Sequence, residues 1–284
     1  MPSLRDIRRR LRSVESTKQI TKAMELVAAA KLRRAQVRVE SARPYGLKMQ
    51  QMLESLAGAA ANLHHPLFEE RPVKSSLLVI IAADRGLCGS YNSNILRTGL
   101  KNAKEAPPDS IRLGLIGKKA VDFFKKQPFP VLFKIPRTEG KADLAMVRRL
   151  AADITGIYER GEVDEVKLLY TRFVSISSNK LTLERFLPIE SPGDKDGAAS
   201  SYIFEPDAAR IFSNLVPRYC LTKILMALLE AFASEFAARM MAMGNANKNA
   251  KEMIDNLTLL RNKARQSSIT KELLDIVGGA EALK

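Results

Sequence analysis

Three stretches of this 284-residue sequence carry residue types that do chemistry in other proteins, and each is incomplete. Asp84-Arg85-Gly86-Leu87-Cys88-Gly89-Ser90-Tyr91-Asn92 is a glycine-rich turn between a predicted first strand and a predicted helix. That is where doubly wound α/β folds hold phosphate on backbone N–H groups, but the G-x-G-x-x-G spacing is missing. Gly114-Leu115-Ile116-Gly117-Lys118-Lys119 falls short of a P-loop, which needs glycine where Arg112 stands and a hydroxyl residue where Lys119 stands. Cys88 has no neighbouring histidine to activate its thiol and reads as a small buried residue. His64 and His65, the only histidines, adjoin Pro66 in a linker running to Lys74 and lack further ligands at helical or turn spacing, so they read as a loop pair. No clustered carboxylates suggest acid and base catalysis. The sequence offers no convincing active site, and it predicts a non-catalytic chain without cofactor or metal.

The elements that would position these stretches fall into three parts. Residues 1–60 form a first long helix, 73–206 a Rossmann-like α/β domain and 207–284 a C-terminal helix. In the first, Ser3 with Asp6 makes a capping pair, and Ile7, Leu11, Val14, Ala28, Leu32, Ala35, Val39, Ala42, Gly46, Met49, Leu53 and Leu56 keep a four-three seam. Between Val14 and Ala28 that register falls on Lys18, Thr21 and Glu25, while Ile20, Met24 and Val27 are apolar, so the seam is expected to slip by one position there. Pro44 marks the one place where this helix could kink or stop. In the last part, Arg218 to Val277 has no proline, and Met243, Ala246, Ala250, Met253, Leu257, Leu260, Ala264 and Ser267 make a second seam. A single helix there would run roughly 90 Å, too long for a compact domain to enclose, and another long helix is the natural cover. Between the two helices, runs such as Leu77 to Ala83, Ile111 to Ile116, Val131 to Ile135, Glu165 to Thr171 and Lys180 to Phe186 alternate mostly with helical patterns. They predict a mainly parallel sheet. The fold class is α/β plus α, an antiparallel two-helix coiled coil with an inserted Rossmann-like domain.

Charge narrows the partners. Lys plus Arg number 46 against 31 acidic residues, a net +15, so an acidic partner is expected. The first 43 residues carry twelve Lys or Arg and four Asp or Glu. They have no aromatic residue for base stacking, and the open readings of that helix are a solvated charged face and a partner-binding face. Two cysteines without C-x-x-C spacing argue against a disulfide framework. The longest apolar run is far too short to span a bilayer, so the chain is expected to be cytoplasmic, with membrane association only through partners.

Three stretches, in order, resemble the signatures of one family. Ser13-Val14-Glu15-Ser16-Thr17-Lys18-Gln19-Ile20-Thr21-Lys22-Ala23-Met24-Glu25-Leu26-Val27-Ala28-Ala29-Ala30-Lys31-Leu32-Arg33-Arg34-Ala35-Gln36 looks like the N-terminal signature of the gamma subunit of F-type ATP synthases. Ala83-Asp84-Arg85-Gly86-Leu87-Cys88-Gly89 resembles its strand-turn motif. Ala264-Arg265-Gln266-Ser267-Ser268-Ile269-Thr270-Lys271-Glu272-Leu273, continuing to Ile276-Val277-Gly278-Gly279-Ala280, is similar to its C-terminal signature. The resemblance spans essentially the whole chain.

The resemblance implies a rotor shaft through a hexamer of three alpha and three beta subunits, one copy per hexamer, with the α/β domain at the foot against the epsilon subunit and the membrane c-ring. It implies that Lys18, Lys22, Met24 and Lys31, with Arg239, Arg265, Gln266, Thr270 and Glu272, meet the beta subunits. Ile276, Val277 and Ala280 would run in an apolar bearing, and Phe204 and Glu205 would face the c-ring. The family's chloroplast members carry an inserted cysteine-bearing segment that is missing here, and no transit segment precedes Ser3. A bacterial member at the cytoplasmic face of the plasma membrane, without thiol control, is therefore expected. The competing readings are a basic coiled-coil adaptor with a nucleotide-binding α/β domain and, behind it, a nucleic-acid-binding protein, although the resemblance implies no nucleic-acid partner.

Overall fold

A computed structural model describes residues 3–59, 65–190 and 208–281. The chain forms two compact units, residues 1–28 with 239–284 and residues 29–238. Two long helices, α1 (Leu4–Ala59) and α5 (Ala208–Glu281), contribute to both. The start of α1 is fixed as a capping pair: the Ser3 hydroxyl donates to Asp6 Oδ2 at 2.7 Å, and Asp6 N donates back to Ser3 Oγ at 3.2 Å. That hydrogen bond holds the Asp6 carboxyl below its usual range.

In the unit of residues 29–238, β1 (Ser76–Ile81), α2 (Tyr91–Glu105), β2 (Ile111–Ile116), α3 (Lys118–Phe124), β3 (Val131–Ile135), α4 (Leu144–Glu159), β4 (Glu165–Phe173) and β5 (Asn179–Leu187) follow one another. The five strands lie in the order β3-β2-β1-β4-β5, parallel except for the antiparallel β4–β5 pair. Strands β1 and β2 are buried almost throughout, which suits the unbroken apolar run of β1 from Leu77; β2 is interrupted by Arg112 and Gly114. Leu78, Ile80, Leu113, Leu115 and Leu169 pack with Ile95 and Phe124 into the core between this sheet and its helices. Gly114 is where the Phe133 ring lies on β2; a Cβ there would stand 2.4 Å from it.

The segments of α1 and α5 in this unit run antiparallel. Lys31 Nζ sits 5.5 Å from the centre of the Phe236 ring, Arg43 Nη2 lies 3.4 Å from Glu230, and Gly46 packs beside Thr222 and Met226. Pro44 does not stop α1, nor does Pro217 stop α5. Both prolines are exposed, so the carbonyl each one leaves without an N–H partner faces water. Packing of the opposite face holds each helix together through the break.

In the unit formed by residues 1–28 and 239–284, the expected slip of the α1 seam does not occur. Ile7, Leu11, Thr21 and Ala28 are buried, Thr21 at 8% exposure, whereas Ile20 and Val27 stand 58% and 57% exposed. The seam keeps its register through polar residues: Lys18 and Glu25 are half-buried, and the Thr21 hydroxyl satisfies itself on Lys18 O at 3.0 Å. The α5 seam differs from its expected line in the same way. Met243, Ala250, Leu257 and Ala264 face inward, and Ala246 is half-buried beside Asn247, but Ile254 and Arg261 come between the others in place of Met253 and Leu260. A heptad permits either alternate position. The one chosen leaves Met253 and Leu260 outward and buries Asn247 Oδ1.

Candidate functional site

The strand order changes direction between β1 and β4, and the crevice at the carboxyl ends of such strands is where doubly wound sheets take ligands. Here the chain fills it. The Tyr91 hydroxyl donates to Ala231 O of α5 at 3.1 Å, and the Ser234 hydroxyl donates to Thr171 O of β4 at 3.0 Å, both buried. Gly140, at φ +66°, lets the Phe236 ring approach so closely that a Cβ would lie 2.6 Å from it. Helix α5 is buried on every side from Ala227 to Ala237, because one face meets α1 and another closes the sheet.

The glycine-rich turn holds an anion of its own. Asp84 accepts from the backbone N–H groups of Lys118, Thr138 and Glu139 at 3.2, 2.9 and 2.7 Å and from the Thr138 hydroxyl at 3.3 Å. These N–H groups from the turns after β2 and β3 are the kind that would otherwise cradle phosphate. Gly117 makes the arrangement possible: at φ +92° a Cβ would fall 2.0 Å from Ala82 O. Cys88 is buried, with Asn92 Nδ2 donating to its sulfur at 3.1 Å. His65 caps the short 3-10 turn Pro66–Phe68, its Nδ1 accepting from Leu67 N at 3.2 Å, and its ring packs on Phe68 and Phe212; burial lowers its pKa. His64 lies outside the described residues.

A charged cluster lies at the same end of the sheet. Glu230 of α5 is buried between Arg43 of α1 at 3.4 Å and Arg172 of β4 at 3.7 Å, and Arg43 Nη2 also donates to Phe173 O at 2.9 Å. Burial raises the Glu230 pKa, and the two arginines offset it only in part. Beside it, Glu184 of β5 pairs with Lys223 of α5 and accepts from the Tyr170 hydroxyl at 3.0 Å. Burial pushes the Tyr170 hydroxyl well above its ordinary range, with Glu184 adding to the effect. Burial by itself would lower Lys223; Tyr219 and Glu184 more than offset it, and its pKa is raised. Sequence reasoning missed this cluster. Its signal is Glu230, Ser234 and Glu235 standing inside an otherwise apolar run from Met226 to Ala238.

The residues expected to meet partners fall into several settings. Lys18 and Met24 are half-buried and Lys22 is exposed, its Nζ 3.3 Å from Glu25; Lys31 is also exposed. Arg239 is different, at 9% exposure, and belongs to the packed interior of its own unit. Arg265, Gln266, Thr270 and Glu272 share the last stretch of α5, where every described side chain from Arg265 onward is exposed. Thr270 there donates to Gln266 O at 3.0 Å, and Glu272 accepts from Ser268 at 3.2 Å. Ile276 and Val277 are 68% and 62% exposed, in line with Ile269 and Leu273 on the same helix. The Ala280 side chain, Phe204 and Glu205 lie outside the described residues. No described helix is long and apolar enough to cross a membrane.

Comparison with known proteins agrees with this architecture. Residues 3–283 match the family model described as ATP synthase. The ATP synthase gamma chain of Desulfitobacterium hafniense is 45% identical over 284 residues, covering the whole of both chains, and that of Moorella thermoacetica is 44% identical over 284 residues with the same coverage. Among solved structures, a central-stalk chain of the Tetrahymena thermophila mitochondrial ATP synthase superposes with a TM-score of 0.62 at 26% identity, over 80% of this chain and 99% of that one. A chain of the Euglena gracilis mitochondrial enzyme superposes at 0.69 over 99% of this chain and 94% of that one; its 22% identity carries the fold alone. With identity of this order from end to end, and a family model matched over residues 3–283, the chain belongs to the family of ATP synthase gamma chains.

Proposed function

We propose that this chain is the central shaft of a rotary ATP synthase, a non-catalytic subunit that carries rotation between a membrane ion-driven ring and the nucleotide-binding subunits around it. The observation that carries this reading, in a gamma-chain relative, is the bare end of α5. From Arg265 its described side chains are all exposed, including Ile269, Leu273, Ile276 and Val277, on a helix that a lone soluble protein would have reason to cover. Ile20, Val27, Met253 and Leu260 add outward apolar surface nearer the start of the helix pair. Partners that enclose the helices would bury all of these.

On this reading three alpha and three beta subunits surround one copy of the chain. Lys18, Lys22, Met24, Lys31, Arg265, Gln266, Thr270 and Glu272 face beta in the course of rotation, whereas Arg239 is covered by the chain itself, and Ile276, Val277 and Ala280 turn in an apolar collar. Phe204 and Glu205 lie at the foot, toward the epsilon subunit and the c-ring. An asymmetric shaft binds each beta subunit differently according to angle, so rotation exchanges their nucleotide affinities without any catalytic group on the shaft. The kinship with bacterial gamma chains favours the cytoplasmic face of a bacterial plasma membrane as its site, held there through the complex. The test is assembly of cognate alpha and beta subunits with and without this chain. One copy per hexamer and sustained ATP hydrolysis only in its presence are expected; a complex that excludes the chain overturns the reading.

A further inference from the structure

Directional contacts between the sheet and the two long helices concentrate on four consecutive residues at the end of β4. The Tyr170 hydroxyl reaches Glu184, which pairs with Lys223 of α5. Thr171 O accepts from Ser234 of α5 at 3.0 Å. Arg172 lies 3.7 Å from Glu230 of α5. Phe173 O accepts from Arg43 of α1 at 2.9 Å, and the same guanidinium nitrogen meets Glu230 at 3.4 Å. Glu230 and Arg43 are thus side chains that each touch the other long helix and the strand, and Glu230 is the more buried of the two.

Apolar packing alone would hold these elements together without fixing their mutual angle, because burial is non-directional and tolerates sliding. Hydrogen bonds and ion pairs have preferred geometries, and in a buried setting they strengthen one another. Three direct contacts in a row on one strand, with a fourth relayed from Tyr170 through Glu184 of β5, oppose rotation of the sheet about the helix pair. Their location also suits that role: β4 is a central strand, paired on both sides, so a load applied to it spreads into the whole sheet.

Resting on the central-shaft reading, we propose that Tyr170 to Phe173 of β4 are the coupling through which torque passes between the sheet domain and the helix pair, with Glu230 as the positioning residue that locks both helices to the strand. Neither function requires the residues that face the alpha and beta subunits, so coupling and hydrolysis are separable.

The experiment uses the full complex in sealed vesicles, with ATP-driven ion uptake and ATP hydrolysis measured together, with and without a pre-imposed opposing gradient. Glu230→Gln keeps the shape of the side chain and removes its charge; Ser234→Ala removes an independent link and guards against a folding artefact in the first. Each is expected to raise the population of slipped arrangements about fivefold. Uptake per ATP then falls against the gradient and holds without it, while hydrolysis by the soluble alpha, beta and gamma assembly stays at the wild-type value and the thermal midpoint of the chain falls by no more than about 4 °C. Wild-type uptake against the gradient in both single variants and in the double variant overturns the inference. So does a matching loss of hydrolysis in the soluble assembly, which marks a general structural defect. If the wild-type complex assembles and hydrolyses ATP but drives no uptake, the central-shaft reading itself fails, and that result is distinct from failure of the variants alone.

Discussion

Arg43 and Glu230, 187 residues apart in sequence, meet at 3.4 Å where α1 passes α5, and the arginine nitrogen that makes this pair also caps Phe173 O of the sheet. The carboxylate is buried while the guanidinium is partly open to water. Such a pair fixes geometry more than it stabilises, since the desolvation of Glu230 outweighs what the arginines return.

That balance sets a pH signature. The Glu230 pKa is raised in the folded chain, so the folded state holds its proton more tightly than the unfolded state. Its contribution to stability is therefore most favourable below the unfolded pKa, near 4.5, and declines as pH rises through the folded value. Thermal denaturation of Glu230→Gln is expected to lose this part of the pH dependence and to lie within about 1 kcal/mol of wild type at neutral pH. A large destabilisation would show that the ionised pair stabilises strongly.

Arg43→Met is expected to behave differently. It leaves Glu230 with Arg172 alone and leaves Phe173 O without its donor, at a cost of about 1–2 kcal/mol once the solvent exposure of Arg43 is allowed for. Urea unfolding of the two single variants and the double variant would expose the coupling between the sites. Additive losses would mean that the 3.4 Å contact carries no interaction energy.

The register of the helix pair can be read from stability. Ile20→Ser changes an outward side chain and is expected to shift the unfolding free energy by less than about 0.5 kcal/mol. Leu32→Ala empties a buried seam position and is expected to cost about 2–5 kcal/mol. Thr21→Val, which exchanges a buried hydroxyl for a methyl, is expected to stabilise by up to about 1 kcal/mol. A costly Ile20→Ser would restore the slipped seam.

At Gly117 a side chain has no room. Gly117→Ala would bring a Cβ to 2.0 Å from Ala82 O at a backbone angle that disfavours any L side chain, and the loss is expected to be about 3 kcal/mol or more. Calorimetry of the variant measures it directly. A change below about 1 kcal/mol would mean that the turn has another conformation available.

The apolar end of α5 gives the fifth contrast. Ile276→Ser with Val277→Ser alters exposed positions, so the chain's own melting is expected to stay within about 0.5 kcal/mol of wild type. Its self-association, followed by light scattering, is expected to fall, and its assembly with alpha and beta subunits to weaken. Unaltered assembly would argue against an apolar collar at these residues.

Much of this was legible in the residues. The Leu77 to Ala83 run, the alternation of strands with helices and the Ser3–Asp6 cap are local signals, and local physics settles them. The seams were legible only in outline. Lys18, Thr21 and Glu25 look too polar for a helix interface, and Met253 and Leu260 look too apolar for a surface, so a reading by hydropathy moves each seam toward its greasy neighbours. What decides the matter is the partner helix, which is far away in sequence. Pro44 misleads in a similar way: its cost is local, but the packing that outweighs it is spread along the helix. Glu230 stands out in its apolar run, but its partners were invisible because Arg43 and Arg172 come to it from other elements.

Asp84 has a further consequence. By placing its own carboxylate on the N–H groups of Lys118, Thr138 and Glu139, the turn after β1 permanently wears the charge that a phosphate would bring. At this turn the N–H groups that a nucleotide's phosphate would need are already occupied. If the chain works among subunits that make and break ATP, news of the energy supply reaches it as mechanical angle alone, and the rotor does not confuse the fuel with the signal.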